Sequence, residues 1–405
     1  MKIKLKVEDQ VKIFLTSIIV ILMLSITGIY FYYEDNVKET WSNSYHLGPV
    51  FNTVVSYRLY SPNSKRKELT KEANELLVYY HRLFDRHNEE DYYIDDDESK
   101  GILYNLKSIN DIYGTNKTIQ VDEDLANILL IALEHGEKSD GYFNIAVGEL
   151  SSLWSTYIEQ ATSIVCVDES CQPSKEVIEE LVTCTPSIRE LKEILIITKK
   201  DEKYYVKFDQ YKDCEKVSLT LGGIAKGYAF KQIGDYFNDK GYLTLFNAQS
   251  SSYFNRYQKG LENVVNNIVD PKAPSSGIAF SFKGIKSLGS STSGDYEQGY
   301  YVKENGKTIR RHHILNPLTG YSENYYHSIS AYLDDPLVAD ILTTTLFNLD
   351  FEESYKLYLE YKKDYPELEV AWIRDTSIIA SDGIFDKIEV KGNYSLIKAS
   401  LEGGK

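Results

Sequence analysis

The chain has 405 residues, 42% apolar and 26% charged, with 45 basic against 60 acidic side chains and a formal net charge of −15. That length is ample for a domain with a proper hydrophobic core. The acidity argues against a nucleic-acid partner, because phosphate contacts need basic surface.

Lys2, Lys4 and Lys6 open the chain, and residues 13–33 carry no charge, about the length a helix needs to cross a bilayer. A cleavable signal is the rival reading. The apolar run is longer than a signal's, however, and it ends in Tyr30-Phe31-Tyr32-Tyr33, an interfacial aromatic belt. With the lysines on one side and Glu34 and Asp35 on the other, residues 1–12 read as a cytoplasmic stub and residues 13–33 as a signal anchor. Residues 45–398 are then expected as an extracytoplasmic domain of a single-pass protein of the cell membrane.

Residues 51–60 read as a strand rich in β-branched and aromatic side chains, ending at Ser61-Pro62. Leu69, Ala73, Leu76, Leu77, Tyr80, Leu83 and Phe84 recur at helical spacing, as do Leu125, Ile128, Leu129, Ala132 and Leu133, with a stop expected near Asp140-Gly141. Cys166, Cys171, Cys184 and Cys214 all fall in one excursion at about 160–215. Two disulfides suit an exported domain; zinc and free thiols are the alternatives.

Residues 217–221 read as a strand, Gly222-Gly223 as its turn, and residues 228–239 as a helix with Ala229, Ile233, Tyr236 and Phe237 inward, closed by Gly241. Further strands are expected at 243–246, 277–282 and 328–332. A helix starts at Asp335-Pro336, another spans 351–363, and 368–373 reads as a last core strand. Helices and strands mix without regular alternation, which points to an α+β fold.

Two stretches carry chemistry. Leu221-Gly222-Gly223-Ile224-Ala225-Lys226-Gly227-Tyr228 is a glycine turn feeding a helix N-terminus, a place suited to a phosphate. Asp340 and Thr344 lie four residues apart on one helical face, two oxygen donors fit for a hard cation such as Mg²⁺. Taken singly, each has a plainer explanation, a tight turn or an exposed helix face. The apolar neighbours Ala339, Ile341, Leu342, Leu346 and Phe347 argue that Asp340 is buried and needs a partner. His312 and His313 precede an Asn316-Pro317 turn, where a histidine is often structural; beside a phosphate it becomes a candidate base. Ser293-Gly294-Asp295-Tyr296 alone is no more than a turn, and Tyr142-Phe143 can flank a planar ring.

In order, "FNTVVSYRLY", "LFDRHN", "GYFNIAVGELSSLW", "LGGIAKGYA", "STSGDYE", "HHILNPLTGY" and "ADILTTTLF" closely resemble the ApbE-type FAD:protein FMN transferases, over roughly residues 48–375. The resemblance implies an α+β fold with a mixed, largely antiparallel sheet and flanking helices. It implies FAD as substrate, Mg²⁺ as cofactor, and transfer of the FMN half onto a threonine of an exported acceptor protein, with release of AMP. It puts the Gly223 carbonyl, Asp340 and Thr344 on the metal and makes His313 the base, with Asp340 the catalytic carboxylate. Phe51, His87, Tyr142, Phe143, Asn144, Thr220, Lys226 and His313 fall on flavin-nucleotide positions. The chain departs from the family pattern at Thr220, Asn144 and Asn316, where aspartates are usual, at Phe51-Asn52-Thr53, at His87 in place of a tyrosine, and at Gln249-Ser250 in place of two glycines. Asparagine and threonine keep hydrogen bonding but lose the charge. An FAD hydrolase giving FMN and AMP, and a non-catalytic flavin-binding protein, are the alternatives.

Overall fold

The computed structural model describes residues 6–87, 103–161, 171–258, 261–284 and 286–401. Residues 1–5 of the expected stub, Asn88 and Cys166 lie outside them. The first element is a 30-residue helix, α1 (Val7–Asn36), with no buried residue. At about 1.5 Å per residue it spans about 45 Å, and it is long and apolar enough to cross a membrane. Its hydroxyls are turned onto the helix itself: Thr16, Ser17 and Thr27 donate to carbonyls four residues back at 2.7–2.8 Å. Asn63 donates to Asp35 at 2.7 Å, tying the helix end to the rest of the chain.

A short strand β1 (Thr40–Trp41) is followed by a hairpin of β2 (Tyr45–Val50) and β3 (Thr53–Ser61). The expected single strand from residue 51 therefore starts two residues later. Phe51 and Asn52 form the turn, both left-handed at φ 50° and 57°, the backbone that a two-residue hairpin requires. Along β3, Val55, Tyr57, Leu59 and Ser61 point inward in strict alternation.

Helix α2 (Arg66–Leu83) buries Leu69, Ala73, Leu77, Tyr80 and Leu83, the stripe expected from the spacing. After α3 (Leu106–Asp111) and β4 (Thr118–Val121), helix α4 (Glu123–Lys138) is capped by Asp122 and ends where Asp140 and Gly141 take positive φ. Then come α5 (Gly148–Ala161), α6 (Lys175–Thr183), α7 (Ile188–Ile194), β5 (Leu195–Lys200) and β6 (Lys203–Phe208). Strands β4, β6 and β5 form a small antiparallel sheet. Cys184 and Cys214 form a disulfide, Cys171 is disulfide-bonded, and no described cysteine is free, so the zinc and free-thiol alternatives fall away.

Residues 217–221 are not a strand. Their backbone is served instead by a side chain and a loop: Leu219 exchanges hydrogen bonds with the Asn110 amide at 2.7 and 3.1 Å, and Thr220 N donates to Ile145 O at 2.8 Å. Helix α8 (Ala225–Asp239) starts earlier than the periodicity indicates and closes at Gly241, φ +85°. Ala229, Ile233 and Phe237 are buried, whereas Tyr236 is 37% exposed and lies outside the core stripe expected for it.

The remaining elements are β7 (Leu243–Ala248), β8 (Ser251–Phe254), β9 (Asn266–Val269), β10 (Ile278–Phe282), β11 (Gly289–Gly294), β12 (Gly299–Glu304), β13 (Lys307–His312), β14 (Ser328–Leu333), α9 (Pro336–Phe347), α10 (Phe351–Asp364), β15 (Glu369–Ile373), β16 (Ser377–Ala380), α11 (Asp382–Phe385), β17 (Glu389–Val390) and β18 (Ser395–Lys398). The main sheet runs β1-β3-β7-β8-β11-β14-β15-β16-β18, with β2 also on β3; every pair is antiparallel except β16 with β18. The strand at Glu369–Ile373 is thus not the last, since two more extend the sheet beyond it. Helix α9 is buried almost all round, sandwiched between α8 and the strands β11 and β14. Among the described residues, Trp154, Trp372, Tyr57, Tyr228 and Tyr361 are the largest side chains wholly out of water.

Candidate functional site

One cavity of about 770 Å³ opens where the first turn of α8, the β2–β3 and β7–β8 turns, strand β11, helix α9 and the loop after β13 converge. The metal, flavin and base positions that the resemblance implies all line it: Phe51, His87, Tyr142, Phe143, Asn144, Thr220, Gly223, Lys226, His313, Asp340 and Thr344; His312 and Asn316 do not.

Asp340 sits in the buried flank of α9, 4% exposed. Its Oδ2 accepts from Gly227 N at 2.7 Å and its Oδ1 from Ser251 Oγ at 2.8 Å. Helix α8 has no cap of its own, since Ile224 offers no side-chain acceptor. The carboxylate of another helix therefore caps it, where the partial positive charge of a helix N-terminus favours an anion. That is the partner the burial of Asp340 demanded. A carboxylate has about four lone-pair sites, and two are occupied here.

The neighbouring hydroxyls differ in availability. Thr343 donates to Asp340 O and Thr345 to Ile341 O, both turned onto their own helix. Thr344 Oγ1 has no hydrogen-bond partner among the described residues, and it borders the cavity. Gly223 lies against it: a Cβ there would come within 3.0 Å of Thr344 Oγ1 and 3.3 Å of the Phe143 ring. Neither Gly222 nor Gly223 takes a positive φ, so the glycine at 223 answers to lack of room rather than to backbone freedom. An uncommitted hydroxyl, a carboxylate with lone pairs to spare and a cradle that a side chain would fill are a donor set that fits a hard cation. No cluster of three histidine, cysteine or acidic side chains exists among the described residues, so such a cation would rely on backbone and hydroxyl oxygens.

His313 presents its ring to the cavity. Its backbone N and its Nδ1 both face the Gln298 carbonyl, at 3.1 and 3.3 Å, so Nδ1 carries the proton and Nε2 keeps its lone pair. The protein packed around it lowers its pKa to about 4; the Gln298 carbonyl opposes this and the Lys226 charge reinforces it. The imidazole is neutral at pH 7. Lys226, in the first turn of α8, forms no ion pair among the described residues. Burial raises the Glu297 carboxyl while Lys226 pulls it down. His312, by contrast, is structural: 1% exposed, Nε2 on Glu323 O at 2.8 Å, its ring edge-on to Phe347.

The opposite side is aromatic. Phe51 packs edge-on against His81, which also accepts from Phe51 N at 3.3 Å. Phe143 is buried and Tyr142 half-exposed beside it. Asn144 has both ends of its amide engaged within the protein, with Pro186 O and Ala146 N at 2.9 Å. Asn316 likewise holds its own turn through Leu318 N and Glu323. Gln249 adopts φ +51°, the left-handed backbone its glycine counterpart would take freely.

Several lining residues were not singled out from the sequence: Arg86, Ser291, Thr292, Glu297 and Gln298. Ser293-Gly294, read as a turn, is the end of central strand β11. Small hydroxyl side chains there give neither hydrophobic alternation nor a run of β-branched and aromatic residues, the strand signals a sequence offers.

A family model described as "ApbE family" matches residues 51–368. The FAD:protein FMN transferase of Haemophilus influenzae is 24% identical over 258 residues, 62% of this chain and 68% of the relative. That of Klebsiella pneumoniae is 28% identical over 229 residues, 53% and 58%; that of Treponema pallidum is 26% identical over 284 residues, 67% and 72%. Among solved structures, the ApbE protein of Thermotoga maritima superposes with a TM-score of 0.61 at 23% identity, covering 82% of this chain and 94% of that one. The flavin transferase ApbE of Vibrio cholerae gives 0.61 at 18%, covering 86% and 100%. At these identities the structural likeness establishes the fold.

Proposed function

The chain belongs to the ApbE family and is a transferase, and from that premise we propose that it moves the FMN half of FAD onto a threonine of an acceptor protein outside the cytoplasm, releasing AMP. The observation that carries this reading is the meeting, in one cavity, of a buried carboxylate, an uncommitted hydroxyl, an unpaired lysine and a neutral histidine with a free nitrogen.

The acceptor hydroxyl oxygen attacks the phosphorus on the flavin side of the diphosphate, the bridging P–O bond breaks, and AMP departs with that electron pair. His313 Nε2 takes the hydroxyl proton; a base so placed contributes typically about 10²–10⁴-fold. Gly223, through its carbonyl, Asp340 and Thr344 would hold Mg²⁺, which when bound withdraws charge from the diphosphate oxygens. Lys226 adds a fixed positive charge at a helix N-terminus beside those oxygens. Phe51, His87, Tyr142 and Phe143 supply planar surface for the isoalloxazine. Helix α1 anchors the protein to the membrane, with the catalytic part outside.

The test is to incubate the full chain in detergent with FAD, Mg²⁺ and a threonine-bearing acceptor and to look for a fluorescent acceptor band. Folded, FAD-loaded protein that yields no band refutes the proposal. AMP release that needs no acceptor identifies a hydrolase instead.

A further inference from the structure

Three histidines border the cavity; His81 is engaged with Phe51, and the surroundings of the other two, His87 and His313, differ in kind. Arg86 Nε lies 2.9 Å from His87 Nε2. A guanidinium N–H can only donate, so Nε2 must accept, and the proton of a neutral His87 is confined to Nδ1. The guanidinium is itself clamped by α5: Nη1 donates to Gly148 O at 2.7 Å and Nη2 to Ser152 Oγ at 3.1 Å and Ser151 Oγ at 3.5 Å. None of these partners is a carboxylate, so among the described residues the arginine's charge reaches His87 without a counter-ion in contact. The backbone of His87 is fixed as well, its N donating to Asp85 Oδ1 at 2.7 Å.

We propose that Arg86 is a positioning residue that locks the His87 ring in its neutral Nδ1–H tautomer and in one orientation, so that it presents an uncharged face to the planar ring of a bound flavin. This rests on the flavin reading above for the identity of the ligand, but the tautomer lock does not. It divides labour between the two histidines. His313 has an open Nε2 and handles a proton, whereas the Nε2 of His87 is occupied, so His87 binds and orients. The electrostatics agree in direction: burial lowers the His87 pKa, Arg86 lowers it further, Asp85 opposes and Lys216 adds a smaller lowering. Around Arg86 the charged neighbours are Glu149 and Asp85. A charged imidazole sandwiched against a ring would lose hydration beside the Arg86 charge, a cost that Asp85 offsets only in part, and the neutral ring avoids it.

The experiment uses the full chain in detergent with ¹⁵N-labelled histidine, wild type beside Arg86→Gln and Arg86→Lys. Wild-type His87 is expected to show a non-protonated Nε2 at neutral pH. In Arg86→Gln its titration midpoint should rise by about one pH unit. Arg86→Lys keeps the charge but not the planar donor fork, so it should restore the midpoint and not the tautomer. The FAD KM of Arg86→Gln should rise about 5–10-fold at pH 6 and less at pH 8, with kcat at saturating FAD unchanged; a tenfold change equals 1.4 kcal/mol. A protonated Nε2 in wild type, a measurement that needs no variant to fold, would overturn the lock, as would an unmoved midpoint in folded Arg86→Gln. If the tautomer is as stated but FAD does not bind the wild-type protein, the flavin reading is what fails.

Discussion

Gly227 is the third glycine of the motif that opens α8, and replacing it by alanine tests how that helix is held against α9. A Cβ at 227 would lie 2.3 Å from Pro336 O and 2.7 Å from Leu337 Cα, both backbone atoms that cannot rotate away. Restoring ordinary contact at roughly 3.5 Å requires the two helices to part by about 1 Å. The Gly227 N–Asp340 Oδ2 bond of 2.7 Å then stretches to beyond the roughly 3.2 Å limit of a good hydrogen bond. Overpacking costs about 1–3 kcal/mol, and a lost hydrogen bond to a charged group about 1.5–3. One displacement causes both, so the terms overlap, and the expected destabilisation is about 3 kcal/mol, roughly a hundredfold in the folding equilibrium. Gly222→Ala is the matched control: its nearest neighbour is Thr220 Oγ1 at 3.8 Å and its φ is ordinary, so it should be neutral or stabilising by up to about 1 kcal/mol. Urea denaturation of the full chain in detergent, followed by tryptophan fluorescence, compares the two. Equal midpoints for the two variants would refute the close-approach argument.

Asp340→Asn keeps the shape and the capping acceptor but removes the charge, so FAD turnover in Mg²⁺ should fall about a hundredfold or more, at about 1.4 kcal/mol per decade, with the circular dichroism unchanged. His313→Gln should lower kcat by about 10²–10⁴ with little change in the FAD KM. Because the proposed base His313 would act in its neutral form and its pKa is pushed down to about 4, wild-type kcat should stay flat as pH falls through 6.5 and decline only as pH nears 4; that acid limb should vanish in His313→Gln. Replacing Cys184 and Cys214 by serine opens a loop closed over a sequence separation of 30, which on chain-entropy grounds costs about 3–4 kcal/mol, read as a lower thermal midpoint under non-reducing conditions.

What the sequence made legible followed the physics of periodicity. The helices α2, α4, α8, α9 and α10 declare themselves by apolar spacing and by Asp or Gly at their ends. The donor pair Asp340 and Thr344 was legible for the same reason, since helical spacing alone puts both on one face. What stayed hidden depends on contacts far apart in the chain. Residues 217–221 look like a strand, but their hydrogen bonds go to Asn110 and Ile145, which no local pattern reveals. The capping of α8 by Asp340 and the bracing of that carboxylate by Ser251 link segments 113 and 89 residues apart. Arg86 gave no signal because its meaning lies in the neighbours it touches on α5.

Strand β3 has two ends with different company. Ser61 leads into the segment where Asn63 grips Asp35 of α1, while Thr53 borders the cavity. Nine residues at about 3.3 Å each make a strut of roughly 27 Å. Only residues 37–39 separate α1 from the sheet. In the proposed anchored form the cavity is therefore joined to the membrane helix through a rigid strand and three connecting residues rather than through a long flexible tether.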